Sequence, residues 1–115
     1  MRVAIQQPEH LPWLGFFNKM AHVDRYVLLD DVQFKKRYFE NRNRILTRQG
    51  AQWLSVPVIT KGRYRQRINE VEIDNEQEWR RQYMESLRHS YGRAPCSAQV
   101  LTGLGEILSR PWDRL

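Results

Sequence analysis

At 115 residues, with 41% hydrophobic, 11% aromatic and 28% charged residues, the chain has the composition of one folded domain and not of a disordered tail. Its net charge of +6 is concentrated: residues 35–67 hold ten Lys/Arg against one acid, Glu40. Such a local field favours anionic partners, whether nucleotide phosphates, nucleic acid or an anionic membrane surface. Cys96 is the single cysteine, which excludes an internal disulfide and a cysteine zinc cluster. The apolar run Val3–Ile5 is too short for a signal-peptide core or a membrane span, so a reducing, cytoplasmic setting is expected.

In chain order, RVAI (2–5) reads as a short buried strand that opens into a loop at Gln6, Gln7 and Pro8. Pro12 suits a first helical position, and Trp13, Phe16, Phe17, Met20 and Ala21 recur at helical spacing, which predicts a helix over about 12–22. RYVLLDDV (25–32) reads as a second strand, and the β-α-β order predicts a parallel pair. From 43 to 74 the pattern is mainly β: a hairpin turning at TRQG, a strand through Trp53 ending near Pro57, and a fifth strand at INEVEID (68–74). Asn75 with Glu78 has the form of a helix cap before Trp79, Tyr83, Met84, Leu87 and Tyr91; Gly92 and Pro95 end that helix. Ser97 can start another, whose apolar positions Val100, Leu101, Leu104, Ile107 and Leu108 call for cover by a missing continuation or a partner subunit. The fold class expected is mixed α/β in a single domain: a short β-α-β start, a hairpin region and C-terminal helices.

The residues able to carry chemistry cluster around LLDDVQFKKRYFENRNRI (28–45). Asp30 and Asp31 would lie at the carboxyl end of a strand, where α/β sheets collect ligand-binding groups; one can act as general base or Mg²⁺ ligand, or both cap a turn. Lys35, Lys36, Arg37, Arg42, Arg44 and Arg48, with Phe34, Tyr38 and Phe39 between them, supply donors for a diphosphate and faces for a base or sugar, unless they form a solvated loop. Asn41 and Asn43 offer amides to hydroxyls or carbonyls, or to turns. His10, beside Glu9, is a candidate acid or base near neutrality or a packed loop histidine. Gln6 and Gln7 leave the first strand where a substrate would sit. The phosphate loops GxxxxGK with Ser or Thr, and GxGxxG, are both absent, which removes ordinary nucleotide-triphosphatase and dinucleotide readings. Trp53 and Trp79 read as packing residues.

Two stretches carry a family resemblance: QPxxLPWxGFF, formed here by Gln7, Pro8, Leu11, Pro12, Trp13, Gly15, Phe16 and Phe17, and DDVQFxKxxFxNRNRI, which begins at Asp30 and runs through Lys36 and Asn43. Their order and spacing closely resemble the N-terminal half of the WbqC-like protein family. The resemblance implies a bacterial transferase, proposed to move an aminoacyl group such as glycyl onto a nucleotide-linked amino sugar for surface polysaccharide such as O-antigen. Under it, Asp30, Asp31 or His10 would take the proton of the attacking amine, and Lys36, Arg37 and Arg42 would hold phosphates. Gln6, Gln7, Asn41 and Asn43 would contact hydroxyl or carbonyl groups. Many family members carry His where this chain has Gln6, and members are about twice as long. No redox cofactor is implied; Mg²⁺ accompanying the diphosphate is the metal to expect. A nucleic-acid-binding module using the same cations without chemistry is the alternative, and a noncatalytic half of a split protein, docking on a partner or a second copy, is a third.

Overall fold

The computed structural model describes residues 1–115 and confirms the mixed α/β class: three helices and two separate two-stranded sheets. β1 (Val3–Gln6) and β2 (Arg25–Leu28) pair in parallel, Val3 opposite Arg25 and Gln6 opposite Leu28. α1 (Leu14–Ala21) bridges them and buries Phe16, whose ring lies 5.3 Å from that of Tyr26. It starts two residues later than expected, after Trp13, whose indole folds across Gly15 at a distance that leaves no room for a side chain there. β2 likewise ends before the aspartates. Parallel sheets are ordinarily covered on both faces, yet Val3, Ile5 and Val27 remain exposed on the face away from Phe16.

The expected hairpin is present. β3 (Arg42–Thr47) pairs antiparallel with β4 (Gly50–Ser55), and the two-residue turn is closed by Thr47 Oγ1 donating to the Gly50 carbonyl at 2.8 Å. Gly50 has φ of 104°, a conformation that a Cβ disfavours. β4 ends before Pro57, as a residue without an N–H requires.

The expected fifth strand does not form. Ile68–Glu70 is a 3-10 turn, closed by the Arg67 N–H donating to Glu70 Oε2 at 2.8 Å; beyond it Glu72 and Ile73 make only isolated bridges, to Arg114 and Val58. The reason lies in spacing. Ile68 and Val71 are three apart, which one 3-10 turn brings to the same side, and both are buried with Phe34 in a small second core.

α2 (Trp79–Tyr91) begins four residues after Asn75, which does not cap it. The Asn75 amide instead donates to the Trp112 carbonyl at 2.9 Å and accepts from Arg80 Nη1, also at 2.9 Å. α3 (Ser97–Leu108) follows, with Cys96 at its cap in a left-handed conformation and Ser97 Oγ donating to the Gly92 carbonyl. The main core lies between the hairpin and α2, centred on Ile45, Leu54, Val56, Tyr83 and Leu87, with Leu108 brought in by α3. Leu101 and Leu104 pack against it, so the apolar face of the last helix is partly covered; Val100 and Ile107 stay exposed. No helix is long and apolar enough to cross a membrane.

Leu54 is 4% exposed at the centre of the main core. Leu54→Ala should cost about 2–5 kcal/mol, read as a lower urea midpoint with an unchanged slope. Val3→Ala on the uncovered sheet face should move the midpoint by far less.

Candidate functional site

The basic segment is built by a crossing of two loops. Val32 and Phe34 pair with Ile68 and Gln66 through backbone bonds of 2.9 Å each, and Gln33 Nε2 donates to the Tyr64 carbonyl at 3.2 Å. This crossing sets Gln33, Lys35, Lys36, Arg63 and Tyr64, over the buried Phe34, around an open cavity of about 470 Å³. Lys36 lies over the Tyr64 ring at 5.2 Å and Lys35 over Tyr38 at 5.1 Å, while Arg63 is paired to Glu72 at 3.1 Å. Neither lysine has an acidic partner. The cavity therefore presents two uncompensated ammonium groups, with donors free for an anion.

A second cationic face adjoins β3 and β4. Arg42 stacks on Trp53 at 3.8 Å, with Arg44 at 5.3 Å and the Phe39 ring at 5.9 Å from the same indole. Trp53 is 41% exposed, which corrects its reading as a packing residue; Trp79, at 7%, keeps that role. Trp53 lies on the outer face of a two-stranded sheet that only α2 covers, so strand alternation alone does not bury it.

Three polar residues of the NRN stretch brace the backbone. Asn41 Nδ2 donates to the Val56 carbonyl at 2.9 Å. Arg42 donates through Nε to the Tyr38 carbonyl at 3.2 Å and through Nη2 to the Arg37 carbonyl. Asn43 Nδ2 donates to the carbonyls of Leu11, at 2.8 Å, and His10, at 3.2 Å. Leu11 and Arg37 both have positive φ, 45° and 58°, which costs a non-glycine residue free energy. Arg42 and Asn43 thus clamp the two strained loops.

Those clamps fix His10. Its backbone N–H donates to the Phe39 carbonyl at 2.8 Å, and its Nε2 lies 2.6 Å from Tyr83 Oη on α2. Burial holds the imidazole at about 4 and pushes the Tyr83 phenol up, so both groups are uncharged at neutral pH and share one proton-donating contact. Tyr83, and not Glu9, is the partner of His10. A tyrosine at a core-facing helical position was the available sequence signal, since a buried phenol seeks a hydrogen bond.

The aspartates follow β2 in an exposed turn. Asn69 donates to Asp30 through its backbone N–H to the carbonyl at 3.0 Å and through Nδ2 to Oδ1 at 3.5 Å, while the Asp31 carboxylate has no partner. No ion pair joins either to the cations that follow. Gln6 Oε1 accepts from Lys19 Nζ at 2.7 Å, and Gln7 is half-buried. Glu40, which the sequence marks only as the lone acid among cations, is 5% exposed; its Oε1 accepts from the Lys35 N–H at 3.4 Å and its Oε2 has no partner. No three His, Cys, Asp or Glu side chains converge as a metal site.

A β-α-β unit and a hairpin-helix core, joined through a clamped histidine loop and carrying an open basic cavity, define an α/β protein with a cationic face. The chain belongs to the WbqC-like protein family, matched over residues 7–115. It is similar to an uncharacterized protein of Mycobacterium tuberculosis, 42% identical over 106 residues, which cover 92% of this chain and 46% of that protein. The chain spans about half the length of this curated relative. No solved structure matches it.

Two outcomes follow. Because His10 titrates near 4 when folded and near 6.5 when unfolded, the unfolded chain binds more protons between those values, and stability is lost as pH falls through that window, on the order of 3 kcal/mol in full. Urea unfolding at pH 7 and pH 4 should show His10→Gln losing less than the wild type. Asn43→Ala, which leaves the His10 and Leu11 carbonyls without their donor, should cost about 1–3 kcal/mol and speed amide exchange at His10.

Proposed function

We propose that the chain supplies the nucleotide-sugar-binding part of a transferase that moves an aminoacyl group, glycyl in type, onto the amine of a nucleotide-linked amino sugar in bacterial surface-polysaccharide synthesis. The observation that carries this reading is the open cavity with two unpaired lysines, Lys35 and Lys36, a few residues after the unpaired Asp31 carboxylate. Cations without acidic partners suit a diphosphate. A free carboxylate in the turn that follows a strand suits proton removal.

In the transfer, the sugar amine attacks the activated acyl carbonyl. A C–N bond forms, the acyl leaving group departs with its electron pair, and the amine proton passes to Asp31 or Asp30. His10, uncharged and bound to Tyr83, suits holding a substrate group by a hydrogen bond better than removing a proton. Lys36 and Arg37 hold phosphate, with Gln6 and Gln7 at the open end of β1. Arg42, Asn41 and Asn43 act by fixing the loops around it. Mg²⁺ would neutralise part of the diphosphate charge.

The test is calorimetric titration with a nucleoside-diphosphate amino sugar. Lys36→Ala should weaken binding about 10-fold or more, the worth of one charge-assisted contact. Asp31→Asn should leave binding intact and stop glycyl transfer from an activated donor. The Arg42, Arg44 and Trp53 face favours a second reading, a nucleic-acid module. Oligonucleotide binding that falls steeply with salt, is lost in Trp53→Ala and is indifferent to Asp31→Asn would establish that reading instead.

A further inference from the structure

Between β4 and α2 lies a cleft of about 240 Å³ whose ten lining residues, among them Gln52, Trp53, Ser55, Gln82, Tyr83 and Ser86, include no charged side chain, in a chain that is 28% charged. The side chains of Gln52 and Gln82 and the hydroxyl of Ser55 make no hydrogen bond within the protein. Each amide offers two donors and an acceptor, and the hydroxyl offers both functions. The indole N–H of Trp79, another lining residue, is buried without an acceptor.

We infer that this cleft binds a neutral polyhydroxylated ring, a pyranose, as a subsite separate from the basic cavity. Vicinal hydroxyls both donate and accept, matching the free amides, and the C–H face of a sugar suits the open indole of Trp53. No charged side chain lines the cleft, and the guanidinium groups of Arg42 and Arg80, which lie over Trp53 at 3.8 Å and over Trp79 at 4.6 Å, are engaged with those rings. The volume is below the roughly 300–1,000 Å³ of pockets that take drug-sized ligands, so it fits one ring and not a whole nucleotide sugar. Tyr83 joins the cleft to His10, so a ring seated there abuts the uncharged His10–Tyr83 pair. The identity of the biological ligand rests on the transferase reading; the subsite itself does not.

The experiment follows the four indole N–H resonances of the ¹⁵N-labelled chain during titration with methyl N-acetylglucosaminide, and separately with inorganic pyrophosphate. Saturable movement of Trp53 and Trp79 at millimolar sugar, with Trp13 and Trp112 still, is expected; Gln82→Phe, at an exposed helix position, should weaken it at least tenfold while leaving pyrophosphate binding unchanged. No saturable shift, equal movement of all four indoles, or indifference to Gln82→Phe would overturn the subsite. Sugar binding without pyrophosphate binding supports the cleft and counts against the diphosphate reading, whereas pyrophosphate binding alone does the reverse.

Discussion

The Asn43 amide, donating to two successive carbonyls at His10 and Leu11, is the contact on which the arrangement of this protein depends. Leu11 sits at a positive φ that its side chain disfavours, and it packs into the main core beneath the hairpin. A loop in that conformation persists only where its surroundings over-determine it. Asn43 satisfies its carbonyls, the Phe39 carbonyl takes the His10 N–H, and Tyr83 takes the ring. The β-α-β unit and the hairpin-helix core are thereby locked together at the histidine.

From that lock the electrostatic plan follows. The cations lie on the outer surfaces, Lys35 and Lys36 around one cavity and Arg42 and Arg44 over Trp53. The cleft between β4 and α2 is lined by no charged side chain. His10 lies on the inner side and is neutral because desolvation penalises the imidazolium. The uncovered face of the first sheet, with Val3, Ile5 and Val27 open, shows that this half carries unfinished apolar surface as well.

Local signals were legible where one residue's own chemistry decided the outcome. The two-residue turn before Gly50, the strand end before Pro57 and the helix end at Gly92 each follow from a backbone limit of that residue. They failed where a distant partner competed. Asn75 looked like a cap, but the Trp112 carbonyl and Arg80 hold its amide. INEVEID alternated well enough to suggest a strand, yet burial of both Ile68 and Val71 against Phe34 selected a 3-10 turn. In the NRNR stretch, polar side chains that resembled ligand contacts are drawn to backbone carbonyls 4 to 33 residues away, and no local pattern encodes such pairings.

The sequence by itself determined the mixed α/β class, the parallel start, the hairpin, the concentration of positive charge and the family, because composition, periodicity and motif spacing are properties of neighbouring residues. Only the tertiary structure decided that His10 is paired with Tyr83, 73 residues away, that Trp53 carries guanidinium groups on an open face, and that one cleft is lined without charge while another cavity is basic. Burial, pKa and the completion of a polar group's hydrogen bonds depend on which segments meet in space. That meeting is settled by packing between elements far apart in the chain.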